Sequence, residues 1–309
     1  EYLMTTHLLS AVSVAALIAM TACVAPERIE EESSANINVC ADPTHEGACD
    51  YLGFDGLQSA VDAAPPGAVI SMQSGSYAPG SYRDLPFQDL AVRGALVIDG
   101  KDLTLRASPG AVLQGRKEFP VSAIVVRDSD VTISGLTISD FFYGEPEDDI
   151  YDGHGIFTID SQVSLQGVRI SGIEKMAVTG REAGHVSASE LIIENSHLGI
   201  WLEETAHFQM KNSRIVGSES AGVAAYGDAT ATVVESAIDG NQDDGLYTEK
   251  RAQIVTMRSD ILNNSPFGAR AADESTIVIC ESNMAGNEDD TGVEGEGSVL
   301  INAVEECRV

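Results

Sequence analysis

Apolar residues recur two apart, in short bursts, along the second half of the chain: Ile200 and Leu202, Phe208 and Met210, then Ile215 with Ser213. The next stretch repeats them as Val223 and Ala225, Ala231 and Val233, then Ile238. A third gives Leu246 and Thr248, Ile254 and Thr256, then Ile261. An i, i+2 spacing puts these side chains on one face of a strand, whereas a helix needs i, i+3, i+4. The bursts come in threes, and each triplet follows the last at one constant step, the step from Ile215 to Ile238 to Ile261.

Other columns keep that step. Gly199, Gly222, Gly245 and Gly268 form one; Ile192, Ile215, Ile238 and Ile261 form another, with Met284 next. Ser213, Ser236, Ser259 and Ser282 make a third, and Asn195, Ser218, Asn241, Asn264 and Asn287 a fourth. A repeat of this length in a turn-rich chain marks a solenoid, each turn being one unit that buries its apolar side only against its neighbours. The leucine-spaced consensus of leucine-rich repeats is absent, and helical repeats are longer. Three strands per turn predict an all-β fold, a right-handed parallel β-helix of about 22–23 residues per coil. Like residues then stack into ladders at the inter-strand spacing of roughly 4.8 Å.

The stretch from Gly56 to Tyr77, GLQSAVDAAPPGAVISMQSGSY, followed by Lys101 to Gly115, resembles the opening of pectin-lyase-like right-handed β-helix proteins. The resemblance covers about residues 52 to 304. It implies an amphipathic helix capping the first coil through Leu57, Ala60, Val61 and Ala64. Asp55 is the expected N-cap, and Pro65-Pro66-Gly67 the stop. For activity the resemblance is open, because lyases, hydrolases, epimerases and inert binding modules share this scaffold.

Charge narrows the partners. Forty-eight acidic against 18 basic residues leave a formal charge of −30, which opposes nucleic acid, anionic lipid and other polyanions. It suits divalent cations, a salty habitat or neutral ligands, or it is simply a solvated surface. A monomer is expected, with membrane contact only through a lipid anchor. Residues 1–23 read as a targeting segment: an apolar run too short for a comfortable span ends in Met20-Thr21-Ala22-Cys23. Small residues before that cysteine resemble a bacterial lipoprotein signal, with lipid attached to Cys23. Met20 and the lack of a preceding Lys or Arg depart from the pattern, and an ordinary secretory peptide is the alternative. Residues 24–39 read as an acidic tether, and 40–309 as a single domain.

Four cysteines remain, an even number suited to an exported chain. Of three connectivities, Cys40–Cys49 with Cys280–Cys307 is favoured: one closes a short loop before the cap helix, the other pins the last coil. No CxxC or HxxxH spacing makes a zinc site.

The same register predicts an outward row of Phe157, Val178, Trp201, Ala224, Tyr247 and Arg270. Two residues on come Gly180, Glu203, Tyr226 and Glu249, with Arg127 at the start of that surface. Trp201 is the only tryptophan. A solvent-facing Trp near tyrosines is a platform for the apolar face of a sugar ring, although aromatics also decorate strands for packing alone. Phe157, Trp201, Tyr226 and Tyr247 with Glu203 and Glu249 are therefore the candidate glycan contacts. The two glutamates are expected to bond hydroxyls or hold Ca²⁺.

An insertion between Ser139 and Gly155 breaks the register and carries Glu145, Glu147, Asp148, Asp149, Asp152 and His154. Insertions on a solenoid map to one face, often the binding face. Asp148, Asp149 and Asp152 are weak candidates for Ca²⁺, and Asp149, Asp152 and His154, with Arg127, for proton transfer. A solvated acidic loop is the plainer alternative. Gly153-His154-Gly155 resembles a polygalacturonase motif, but its Asp pair lies too near and no Arg-Ile-Lys follows. Asp152-Gly153-His154 faintly resembles the Asp-Pro-His of alginate epimerases. Elimination of the pectate-lyase type needs a base such as Arg or Lys; Arg127, Lys175 and Arg181 are the cations near the middle coils. His185, His197 and His207 read as incidental. Two classes stay open: a carbohydrate-binding or structural surface module, and a polysaccharide lyase or glycoside hydrolase.

Overall fold

The alternation dictates strands that are buried on one side and stacked edge to edge. In the computed structural model they wind into three sheets of twelve, nine and eleven strands. Described are residues 35–43, 48–144, 150–302 and 307, all within one compact unit, Ser34–Val309. The leader, Cys23 and most of the tether lie outside the described residues. So do Glu145, Glu147, Asp148 and Asp149. Among the described residues, no helix is long and apolar enough to cross a membrane.

Each coil contributes one strand to each sheet, and pairing between coils is parallel. Phe208 and Met210 lie against Ala231 and Val233, which lie against Ile254 and Thr256. Ile215, Ile238, Ile261 and Met284 stack in the second sheet, and Ile200, Val223 and Leu246 in the third. These inward residues, Met284 apart, are buried. Each large aliphatic side chain contributes roughly 2 kcal/mol by leaving water.

Polar ladders close the corners. Ser236 Oγ accepts the Ser213 amide at 3.1 Å and donates to the Val234 carbonyl at 2.7 Å, and Ser259 repeats this one coil on. Asn264 Oδ1 accepts from the Asn241 amide and from Asn241 Nδ2, at 3.1 and 2.8 Å. The glycine column has a steric cause. A Cβ on Gly222 would sit 2.6 Å from an Ile238 methyl and 2.8 Å from the Gly245 carbonyl.

A helix, Gly53–Ala63, caps the first coil and buries Phe54, Leu57, Ala60 and Val61. Its N-cap is Leu52, without a side-chain cap, and Asp55 falls in the first turn rather than at the cap. Helix entry is set instead by Gly53 at φ +69°. Gln58, buried, bonds both backbone groups of Val97 at 2.8 and 3.0 Å. Tyr51–Leu52 and Asn36–Cys40 extend the first sheet, so strand structure begins at Asn36, inside the stretch assigned to the tether. Disulfides join Cys40 to Cys49 and Cys280 to Cys307, with Cα separations of 5.8 and 5.7 Å.

Candidate functional site

The outward face of the third sheet carries the predicted rows with one phase error. Phe157, Thr179, Trp201, Ala224, Tyr247 and Arg270 stand in register. Val178 does not: it pairs with Ile156 and Ile200 and is buried inside the coil. Likewise Arg181, not Gly180, continues the second row, because Gly180 pairs with inward Leu202. One corner explains both. Ile193 pairs with Ile215 and Ile215 with Ile238, so the first of these steps is shorter by one position than the second. The shortfall lies in the turn at Asn195–His197, between Ile193 and Ile200. Counting back by the downstream step therefore slips one place upstream, and Ile193 and Ser196 replace Ile192 and Asn195 in their columns.

A hairpin covers the upstream end of this face. Arg83–Phe87 runs antiparallel to Leu90–Gly94, and Leu85, Phe87 and Val92 bury Val97, Val125, Phe157 and Ile159 beneath them. Phe157 is thus fully buried rather than a glycan contact; it points out of the coil but into this second, smaller core. Arg127 is a fastener, with Asp99 at 2.7 and 2.8 Å and the Pro86 carbonyl at 3.2 Å. At the hairpin tip, Gln88 Nε2 donates to Glu182 and Glu204 at 3.1 and 3.3 Å.

After the insertion, Ile150–Tyr151 pairs with Ala91–Val92 on the hairpin. Tyr151 packs against Phe87 and Phe157. The chain then enters the sheet through Asp152-Gly153-His154-Gly155. Gly153, at φ +71°, lets the backbone pass where a Cβ would lie 2.6 Å from that of Tyr143. His154 is 2% exposed. Its Nδ1 bonds Thr179 Oγ1 at 2.8 Å, and its Nε2 has no hydrogen-bond partner among the described residues. Burial pushes its pKa down to about 3, with Lys175 and Arg181 pushing the same way, so the ring is neutral across the physiological range.

His154 lines a cavity of about 260 Å³ together with Tyr151, Lys175, Met176, Arg181, Trp201 and Glu203. Asp152 stands behind Lys175 at 3.6 Å and accepts the Gly144 amide at 3.1 Å. Burial raises its pKa, against the pull of Lys175. Arg181 lies under the rings of Phe87 and Tyr151. Glu204 grips it at 2.6 and 2.9 Å, and Glu203 approaches to 2.9 Å. Across the Lys175–Met176 shoulder lies a wider recess of about 770 Å³, bordered by Tyr143, Asp140, Asn195, His197 and Glu219.

Downstream of the hairpin the face is open. The Trp201 and Tyr226 rings stack at 4.3 Å, and Tyr226 and Tyr247 follow at 5.5 Å. Ala224, small and buried, leaves the hollow over which Tyr226 leans. Burial raises the Tyr226 pKa, and the Tyr247 pKa is pushed up to about 12 by burial and by Glu249. The Tyr247 hydroxyl donates to Glu249 at 2.9 Å, so that carboxylate is turned along the stripe. Arg270 ends the row over the Tyr247 ring, bonded to Asp244 at 2.7 Å and Glu294 at 3.0 Å.

Of the predicted site, the fold gathers Asp152, His154, Trp201 and Glu203 at the cavity and strings Tyr226, Tyr247 and Glu249 away from it. Tyr151 and Thr179 are new; phasing the row upstream of Trp201 with the shorter step would have brought Thr179 and Arg181 into it. No group of three or more His, Cys, Asp or Glu is placed to hold a metal among the described residues. The Ca²⁺ candidate Asp152 faces a lysine, and Asp148 and Asp149 lie outside the described residues.

A family model, right handed beta helix region, matches residues 121–308. The chain belongs to this β-helix family. The fit supplies the handedness that strand periodicity leaves open. No curated protein sequence matches the chain. Among solved structures, pectate lyase Pel9A is similar at 11% identity and a TM-score of 0.54, covering 86% of this chain and 78% of that one. A pectate lyase variant from Xanthomonas campestris is 12% identical, with a TM-score of 0.54 and coverage of 84% and 80%. The pectin methylesterase of Aspergillus niger is 14% identical, with a TM-score of 0.52 and coverage of 82% and 85%. At these identities the β-helix shares their fold, and the likeness extends no further.

Proposed function

We propose that the chain is an exported carbohydrate-binding β-helix that takes an extended glycan along the open stripe of its third sheet. The observation that carries this reading is the run Trp201, Tyr226 and Tyr247 leading to a cavity lined by a buried histidine whose Nε2 has no partner among the described residues. Aromatic rings offer apolar faces to pyranose C–H groups, and Glu203 and Glu249 offer acceptors to hydroxyls. Two disulfides suit an oxidising compartment, and lipid on Cys23 would tether the protein to the envelope. Glycan-array binding followed by calorimetry tests the reading. Trp201→Ala is expected to weaken binding about tenfold with the fold intact; an unchanged affinity removes the stripe from the ligand site.

A second reading, glycan cleavage, is favoured by one observation. Asp152 is a buried carboxyl whose pKa is raised, set behind the cavity-lining Lys175, and a raised carboxyl is what a general acid requires. Reducing-sugar and unsaturated-uronate assays on any bound glycan decide it. Turnover lost in Asp152→Asn, with binding retained, establishes cleavage; binding without turnover in the native protein discards it.

A further inference from the structure

The cations at this face are already engaged. Arg181 has its guanidinium fork filled by Glu204 and a third contact to Glu203. Lys175 faces Asp152, Arg127 faces Asp99, and Arg270 is shared by Asp244 and Glu294. Around the cavity, two cations (Lys175, Arg181) meet three carboxylates (Asp152, Glu203, Glu204). A carboxylate or sulfate on a ligand would have to displace a protein carboxylate from Arg181 or compete with Asp152 for Lys175, and would do so in the field of a chain with net charge −30. Like-charge juxtaposition of that kind disfavours a partner strongly.

What the face leaves unused is neutral or accepting. His154, 2% exposed, lines the cavity, and its buried Nε2 has no partner among the described residues. Trp201 lines the same cavity. Glu203 and Glu249, beyond their contacts with Arg181 and the Tyr247 hydroxyl, keep carboxylate lone pairs that suit ligand hydroxyl donors and repel ligand anions.

We propose that this groove selects an uncharged glycan, its rings bearing hydroxyls and no carboxylate or sulfate, with one ring seated in the cavity against His154 and Trp201. The proposal rests on the glycan-binding reading and adds the class of ligand.

Matched pairs separate the possibilities. Neutral (1→4)-linked gluco-, manno- and galacto-oligosaccharides are titrated beside their C6-oxidised counterparts. Each is measured in low and high NaCl, against native protein, Trp201→Ala and Tyr247→Ala, with circular dichroism confirming the fold of both variants. The expected result is a neutral member bound about tenfold or more tighter than its charged counterpart, insensitive to salt and weakened in both variants. A uronate bound as tightly as its neutral partner, or binding that falls with salt, overturns the proposal and leaves the glycan reading standing. If no member binds, both fall.

Discussion

The His154 imidazole is held through Nδ1 by the Thr179 hydroxyl at 2.8 Å, which stands on the strand paired with the one that follows His154. That bond orients the ring and leaves Nε2, itself buried, without a partner among the described residues. Thr179→Val is expected to lower glycan affinity about fivefold, the worth of one hydrogen bond near 1 kcal/mol. Thr179→Ser should restore it. Calorimetry on the three proteins checks this; if Ser fails to rescue, Thr179 acts through packing alone.

Two buried groups make stability respond to pH in opposite directions. His154 has its pKa depressed from 6.5 to about 3 by burial. Between those values the unfolded chain binds a proton that the native state refuses, so stability falls on acidification through that window. Asp244 is raised from 3.8 to about 6 by burial, against the pull of Arg270. The native state there holds a proton the unfolded chain releases, so stability is lost as pH rises through about 6. Urea midpoints measured between about pH 4 and pH 7 test both assignments. His154→Gln should flatten the acid-side loss, and Asp244→Asn should flatten the opposing slope. Parallel curves for variants and native protein would refute the assignments.

Gly222 and Gly240 should respond differently to substitution. A methyl at Gly222 meets Ile238 and the Gly245 carbonyl, and Gly222→Ala is expected to destabilise by about 2 kcal/mol through overpacking. Gly240, at φ +65°, has open space around it, and Asn263 holds the equivalent turn one coil on at φ 54°. Gly240→Asn should therefore stay within about 0.5 kcal/mol, since Asn tolerates this conformation. Denaturant midpoints decide between the two; equal losses would mean that the close approach between coils is relieved elsewhere.

The hairpin is held by one ring more than any other. Phe87 touches Phe157 and Tyr151 and packs its ring face against the Arg181 guanidinium. Phe87→Ala should cost about 3 kcal/mol, expressed locally as faster hydrogen exchange across residues 83–94. The amides around Ile215 and Ile238 should stay protected. Uniform loss of protection would show that hairpin and stack open together.

Much of the coil was legible because neighbours in space are separated along the chain by a nearly constant step, so a ladder such as Ser213, Ser236 and Ser259 is visible as a column. The disulfide pairs followed from where their cysteines sit along the chain. What stayed hidden depended on contacts that break the period. The short corner at Asn195–His197 shifted Val178 inward, and nothing in its own side chain announces that. Phe157 faced outward as expected, but its cover comes from Leu85, Phe87 and Val92, a segment with no repeat to read. Tyr151 and Thr179 joined the cavity for the same reason: one arrives through an insertion, the other through a phase counted from the wrong side of that corner.

The hairpin also fixes how long the proposed ligand surface can be. With Leu85 through Val92 shuttering the upstream windings, reach depends only on how many windings lie beyond Phe157. Duplicating one whole winding between Tyr226 and Tyr247 adds roughly 4.8 Å of stripe and leaves the closed end as it was. A protein of this build can change the size of what it holds by counting, without redesigning any single contact.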